Sequence, residues 1–128
     1  MSRKDTRVAI TNLMETISEF VKVYDHETKD FAGLSPVAMV HSDGSQPLTT
    51  RGNTDPMYGY YISIWWRRDD GGDTEDRMDD VSDRVIQIVK ADRSANLSRL
   101  RPVNEMSQMD YPIVDNVQYR RERIKVQA

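Results

Sequence analysis

The stretch from Tyr58 to Arg68 constrains the fold of this chain more than any other part of the sequence. Its alternate residues are large and apolar in one series and of mixed polarity in the other. The apolar series is Tyr58, Tyr60, Ile62, Ile64 and Trp66, and the mixed series is Tyr61, Ser63, Trp65 and Arg67. A period of two in β-branched and aromatic residues is typical of a strand. The stretch therefore predicts a long strand with one face in a core and a second face that is only partly polar.

Two other segments have apolar residues at helical spacing and predict amphipathic helices. The first helix is expected at about residues 4–21 and the second at about residues 74–91. Each stripe recurs at i, i+3, i+4 and i+7. The stripes are Ile10, Leu13, Met14, Ile17, Phe20 and Val21 in the first helix, and Met78, Val81, Val85, Ile88 and Val89 in the second. Both stripes need a partner, so we expect an α+β fold, a mainly antiparallel sheet with two helices packed on one face.

Shorter strands are predicted on either side of the long one. Val21 and Val23 alternate with polar neighbours, and the apolar run from Pro36 to His41 reads as a second strand. A further strand is expected through Leu100 and Val103. These segments would extend the sheet around the long strand.

Residues 42–57 predict a long loop, because turn-forming residues fill almost all of the segment. Loops of more than about 12–15 residues are uncommon in small domains unless they are functional or disordered. The closing segment, Tyr111 to Val126, is rich in β-formers, but Val117 and Tyr119 have the opposite parity to Ile124 and Val126. A bulge or bend near residues 120–122 would reconcile the two series.

Length and composition limit the class of protein. The chain has 128 residues, which suits one domain spanning residues 1–128. Its 18 basic and 21 acidic residues give a net charge of −3, so it lacks the basic surface of a general phosphate binder. It contains no cysteine, and its first 20 residues contain no apolar run of signal-peptide or membrane length. These features predict a protein that works inside the cell or within an assembly.

Motifs for hydrolysis, phosphate binding and dinucleotide binding are missing from the sequence. His26 and His41 are its two histidines, and a catalytic or metal-binding role would require them to converge with carboxylates. We expect no enzymatic activity, no cofactor and no metal site.

The segment from Asp69 to Asp83 is strongly acidic. It contains eight carboxylates against the single guanidinium of Arg77, a local net charge of −7. Charge runs of this kind usually form a solvated helix face. The functional alternative is a surface that repels or guides a polyanion. A calcium site is disfavoured, because the Asp-Asp-Gly-Gly-Asp sequence lacks the alternate ligand spacing of an EF-hand loop.

Five of the ten aromatic residues fall within nine positions, between Tyr58 and Trp66. Alternation places about half of them in a core. The others, beside Arg67 and Arg68, would suit a subunit interface, where Tyr, Trp and Arg are enriched. Stacking of nucleic-acid bases, as in sheet-based RNA binders, is the weaker alternative.

The order of these segments resembles the tail terminator, or tail completion, proteins of long-tailed bacteriophages, the family of the lambda minor tail protein U. The resemblance covers nearly the whole chain in order and length. It rests on the opening helix and the polar loop from Ser42, together with Val23-Tyr24-Asp25-His26, Leu34-Ser35-Pro36 leading into Val37-Ala38-Met39-Val40, Tyr60-Tyr61-Ile62-Ser63-Ile64, Val81 to Val89, and Arg123-Ile124-Lys125-Val126. The aromatic strand and the acidic turn at 69–73 depart from the family pattern, so contacts there cannot be transferred from it.

The resemblance implies a structural virion protein. It implies a hexameric ring at the head-proximal end of the tail tube, located at the neck of the virion after assembly in the host cytoplasm. The partners would be other copies of the chain, the tail tube protein and a head-completion protein, with genome DNA passing through the ring without specific binding and no membrane involved. The alternatives are another phage neck or connector ring protein, a sheet-based RNA-binding module and a small enzyme.

Two groups of site residues follow from the loop, the aromatic strand and the acidic segment. For the subunit or tube interface we expect Leu48, Arg51, Met57, Tyr61, Trp65 and Arg67. For a channel-facing acidic surface we expect Asp76, Asp79, Asp80 and Asp83.

Overall fold

Two helices and a mixed, mostly antiparallel sheet form the part of the chain that the computed structural model describes, residues 3–46, 57–68, 72–91, 100–103 and 107–128. The α+β class is therefore confirmed. In chain order the elements are α1 (Arg3–Glu15), β1 (Lys22–Tyr24), β2 (Val37–Gln46), β3 (Met57–Arg67), α2 (Gly72–Ala91), β4 (Arg101–Pro102), β5 (Gln108–Asp110), β6 (Ile113–Val114) and β7 (Val117–Gln127).

The strands β2, β3 and β7 form the centre of the sheet, in the order β1-β2-β3-β7-β4. The β1 strand pairs with β2 in parallel, and the other pairs are antiparallel. Both β4 and β5 pair with β7 on the side away from β3. The β6 strand forms a hairpin with the start of β7. Its turn residues Asp115 and Asn116 both have positive φ, 51° and 63°, as a two-residue type I′ turn requires.

Both helices pack on one face of the sheet, as the sequence predicts. The main core lies between the helices and this face. Even-numbered residues of β3 belong to it, including Tyr60, Ile62 and Ile64. The helices contribute Ile10 and Met14 from α1 and Met78, Val81, Val85 and Val89 from α2. Since α1 contacts β1 and β2 while α2 contacts β4, each helix covers a different half of the sheet.

A second, smaller core lies on the opposite face of the sheet. Phe31, from the segment between β1 and β2, covers Trp65 and Tyr119, with ring centroids 5.4 and 5.1 Å away. Val37 and Met39 complete the cluster. This core explains the change of parity in the closing strand, because Tyr119 faces the second core whereas Ile124 and Val126 face the main one.

The prediction of a bulge near residues 120–122 is wrong. The register between β3 and β7 runs without a shift from Gly59↔Gln127 to Arg67↔Tyr119. The even-numbered positions 120 and 122 therefore stay on the helix face, where Arg120 and Glu122 are 3% and 6% exposed. Buried charge, rather than a bend, accounts for the interrupted apolar pattern.

The first helix is shorter than predicted. It ends at Glu15, and the backbone then turns through i→i−3 hydrogen bonds from the amides of Thr16 and Ile17. The Thr16 hydroxyl donates to the Leu13 carbonyl at 2.6 Å, the kind of local hydrogen bond that competes with a helix. Ile17 and Phe20 remain buried in the main core, so the apolar stripe continues beyond the helix.

The predicted loop at 42–57 is shorter as well. Strand β2 continues to Gln46 and β3 begins at Met57, while residues 47–56 lie outside the described residues. The register with β3 shifts between Ser42 and Ser45, so the turn-forming residues there build a β-bulge. Gly59 lies opposite this bulge, where a Cβ atom would be 3.0 Å from the Asp43 carbonyl oxygen.

Candidate functional site

The sheet face opposite the helices is only half covered by the second core, and its other half is a polar surface. We call this surface the polar sheet face. It is formed by odd-numbered residues of the three central strands and by β5. Its members are His41, Asp43, Tyr61, Ser63, Asp110, Arg121, Arg123 and Lys125, joined by Glu27 from the segment after β1.

His41 connects three parts of the polar sheet face. Its Nε2 atom lies 3.2 Å from the Ser63 hydroxyl on β3, and its Nδ1 atom lies 3.8 Å from a carboxylate oxygen of Glu27. The imidazole packs beside the Tyr61 ring at a centroid distance of 5.6 Å. Burial lowers the pKa of His41, with Arg123 and Arg121 acting in the same direction and Glu27 and Asp43 opposing them.

The cations of β7 are paired with carboxylates. The Arg121 guanidinium hydrogen-bonds both Asp110 oxygens and stacks over the Trp65 ring at 5.0 Å. The Asp110 hydrogen bond raises the pKa of Arg121, and the same bond lowers the pKa of Asp110. Arg123 lies 3.8 Å from Glu27, and Lys125 lies 3.0 Å from Asp43.

Charge on this face is therefore balanced. Three cations at alternate positions of β7 meet three carboxylates from β2, β5 and the segment after β1. Binding of a phosphate backbone uses unpaired Lys and Arg side chains, which neutralise the phosphates and so release the counterions of the nucleic acid. A shallow depression of about 370 Å³, lined by Gln108, Met109, Asp110 and Arg123, lies beside β5. Among the described residues no group of three or more His, Asp or Glu side chains is placed to hold a metal ion.

The interface residues expected from the sequence lie in different environments. Leu48 and Arg51 fall outside the described residues, and Met57 begins β3. Tyr61 is half-buried on the polar sheet face, and the side chain of Arg67 is exposed at the end of β3. Trp65 is 1% exposed and belongs to the second core, so its placement gives no support to a surface contact.

The acidic residues of α2 from position 75 onward divide into two stripes. Glu75 and Asp79 bind Arg120 across the helix–sheet boundary, at 2.8 and 2.6 Å. Asp76, Asp80 and Asp83 form the second stripe, which is exposed. Asp79 thus has a structural partner that the sequence pattern did not reveal, whereas the other three expected channel acids are solvent-facing in the single chain.

Exposed apolar residues mark two surfaces that the sequence analysis did not identify. Among the described residues the large apolar side chains that are exposed are Val8, Val21, Met109, Tyr111 and Ile113. We call Met109, Tyr111 and Ile113 the β5-edge patch, and the exposed surface at Val21, which directly precedes β1, the β1-edge patch. The alternation at 109, 111 and 113 is visible in the sequence, but Pro112 interrupts it and conceals the short edge strand.

No protein-family model matches the sequence, and no curated protein matches it significantly. Neither helix in the described residues is both long and apolar enough to cross a bilayer.

Proposed function

We propose that this chain is a tail-terminator-type structural protein of a long-tailed bacteriophage, which forms a ring at the head-proximal end of the tail tube. In this role it stops tube polymerisation and joins the tail to head-completion proteins. The ring is a homo-oligomer, and the resemblance implies a hexamer. Genome DNA passes through the ring without specific binding.

The order of elements along the chain carries the proposal. Segments on which the resemblance rests coincide with elements of the structure: residues 37–40 lie in β2, 60–64 in β3, 81–89 in α2 and 123–126 in β7. Residues 23–24 fall in β1, next to an opening helix that is shorter than expected. The placement of both helices on one face also supports a domain that presents a sheet and its edges to partners.

The polar sheet face favours a protein-contact role over the two alternatives from other classes. An RNA-binding sheet needs exposed rings beside free cations. Here Trp65 is buried, and the cations of β7 are paired with carboxylates. For an enzyme, His41 would be the natural base, but its contacts are the Ser63 hydroxyl, Glu27 and the Tyr61 ring rather than a constellation in a deep pocket.

The experiment that tests the proposal locates the protein in purified phage particles. Electron cryo-microscopy of particles carrying an affinity label on this chain should place it between tail tube and head. Particles made without the protein should have tails of irregular, excess length and no heads attached, and the supplied wild-type chain should restore normal tails. Density in another layer of the neck, with normal tail length in its absence, would make it a different connector ring protein. Absence from the particle, together with salt-sensitive binding of single-stranded RNA, would favour the RNA-binding alternative.

A further inference from the structure

The exposed apolar residues lie at opposite edges of one sheet. Val21 immediately precedes β1, the outermost strand on one side, and is 56% exposed. Val8 is 36% exposed on α1, the helix that packs on β1 and β2. On the other side, Met109, Tyr111 and Ile113 are 43%, 44% and 69% exposed along β5 and β6.

From this arrangement we infer that copies of the chain associate head to tail, with the β5-edge patch of one copy packed against the β1-edge patch of the next. This inference rests on the proposed function, and it names the surfaces by which the ring closes. Two different patches on opposite sides of a subunit make a heterologous contact, which repeats around a ring when the rotation closes.

The composition of the β5-edge patch fits a protein partner. Tyr and Met are enriched in interface cores, and Arg frequently accompanies them. The Tyr111 ring is covered by the Arg68 guanidinium at 4.7 Å, and its hydroxyl contacts the Met109 sulfur at 3.6 Å. Two of the three side chains of the patch, Met109 and Tyr111, are therefore already packed against neighbours, which reduces the entropy cost of ordering them on binding.

Charges near the two patches suit a second copy of the chain. The β6–β7 turn beside Ile113 carries the exposed carboxylate of Asp115. The β1 edge carries the exposed ammonium group of Lys22, next to Val21. The carboxylate beside Ile113 and the ammonium group beside Val21 attract each other when the two patches meet.

The test uses one acidic substitution in each patch, Ile113→Asp and Val21→Asp, with sedimentation velocity over a range of protein concentrations. The wild-type chain should associate as concentration rises, and each variant should need at least a tenfold higher concentration for the same association. Gln87→Asp adds the same charge at an exposed position of α2 outside both patches and should behave as wild type. Because residues 21 and 113 are exposed, all three variants should keep the wild-type melting temperature.

Mixing the two variants distinguishes this contact from a symmetric one. The Ile113→Asp chain retains an intact β1-edge patch, and the Val21→Asp chain retains an intact β5-edge patch. The mixture should therefore form one-to-one heterodimers and nothing larger, while each variant alone stays monomeric. Dimers of Val21→Asp alone would indicate that the β5-edge patch pairs with itself and would overturn the inference. Association unchanged in both variants, or a wild-type chain that stays monomeric at every concentration, would also overturn it.

Cysteine trapping gives a second measurement, because the chain has no cysteine of its own. A short bifunctional maleimide should link Ile113→Cys to Val21→Cys in a mixture, and should convert the double variant into a ladder of covalent oligomers that stops at the ring size. Neither single variant should be linked to itself.

The outcomes separate this inference from the proposed function. A ring located at the phage neck but not linked between residues 21 and 113 would overturn the contact and leave the function standing. A ring linked in this way in solution, formed by a protein absent from the neck, would overturn the function and leave the contact standing.

Discussion

Arg120 joins α2 to β7 through ion pairs centred on its buried guanidinium. Its side chain is buried and binds the buried carboxylate of Glu122 at 3.2 Å, together with Glu75 and Asp79 of α2. Burial would lower the pKa of Arg120, but the hydrogen bond with Asp79 and the charges of Glu75 and Asp79 outweigh it and raise the pKa. The guanidinium thus remains charged and binds the first half of α2 to the sheet.

Replacing Arg120 should destabilise the protein more than replacing either helical partner. Arg120→Met leaves the buried Glu122 carboxylate without its cation, and losing one member of a buried pair costs about 3–5 kcal/mol. Glu75→Gln should cost less than about 1 kcal/mol, since that carboxylate is 54% exposed and screened by solvent. Chemical denaturation measures both values.

A double substitution provides the control for this prediction. Arg120→Met combined with Glu122→Met removes both buried charges, and such replacements are often neutral or stabilising. The pair should recover most of the stability lost in Arg120→Met. A double variant as unstable as the single one would show that packing of the arginine stem, and not its charge, is what the fold requires.

His41 should make the free energy of unfolding depend on pH in a range above that in which carboxylates titrate. Burial and the neighbouring Arg123 and Arg121 lower its pKa in the folded state against the pull of Glu27 and Asp43. The unfolded chain, with a histidine pKa of about 6.5, then binds the proton first as pH falls. Stability is therefore fully present above about pH 6.5 and decreases as pH falls towards the folded-state pKa.

The measurement is the free energy of unfolding between pH 5 and pH 8 for wild type and for His41→Gln. Below pH 6.5 the stability of the variant should fall much less than that of the wild type. Gln87→Asn changes an exposed side chain that carries no charge at any pH, so it should retain the wild-type profile. Equal slopes for wild type and His41→Gln would contradict the prediction.

At the scale of elements, Ile62 of β3 and Ile88 of α2 test which side of each element faces the core. The sequence places Ile62, Ile64, Val81, Val85 and Ile88 in the core. The structure buries the first four, but Ile88 is only partly buried, and Val89 takes the fully buried position beside it. Ile62→Ala should therefore cost about 2–5 kcal/mol. The same change at Ile88 should cost clearly less, as denaturant unfolding would show, and equal losses would mean that the helix phase is wrong.

Elements with a single strong period were predictable from the sequence, and elements shaped by tertiary contacts were not. The alternation in residues 58–66 and the stripe from Met78 to Val89 predicted β3 and α2 to within a few residues. Strand β2 was underestimated, because the serine, aspartate and glycine at 42–45 form a bulge that only pairing with β3 can hold in a sheet. In β7, a bulge was expected at Arg120 and Glu122, since the burial of these charged residues depends on partners in α2 and the segment before β5 that the sequence pattern does not show.

The candidate site was less predictable than the fold. Tyr61 is half-buried and Arg67 is exposed, but Trp65 is enclosed by Phe31, a residue with no strand or helix period of its own. The β5-edge patch was missed because its strand is three residues long, too short for any period to emerge. Surfaces of this kind become visible once the strand order defines which strands are at the edges.

For the whole molecule, the sheet edges and the helix layer have separate tasks in the proposed ring. The edges carry exposed apolar side chains that suit contact between copies. The exposed stripe of α2, residues 76, 80 and 83, follows i, i+4 and i+7 spacing and carries three carboxylates on one side of the helix. These carboxylates are free of the ion pairs with Arg120 that occupy Glu75 and Asp79.

A ring that passes DNA needs a channel to which the duplex does not adhere. Carboxylates repel phosphates over about a Debye length, which is roughly 8–10 Å at physiological salt. If the exposed stripe of α2 lines the channel, Asp76→Asn, Asp80→Asn and Asp83→Asn together should slow genome ejection while tails keep their normal length. Asp79 is left unchanged in this variant because of its bond to Arg120. Ejection kinetics from purified particles, followed by fluorescence of a DNA dye after the trigger, measure the effect.

The control removes two exposed carboxylates outside α2, with Glu15→Gln and Asp30→Asn. It should leave ejection at the wild-type rate, because these residues lie on α1 and on the segment between β1 and β2. Raising the salt concentration should reduce the difference between the α2 variant and wild type, since screening weakens the repulsion in both. Unchanged ejection in the α2 variant with intact assembly would instead assign its carboxylates to a solvated outer face, the ordinary location of a charge run on a helix.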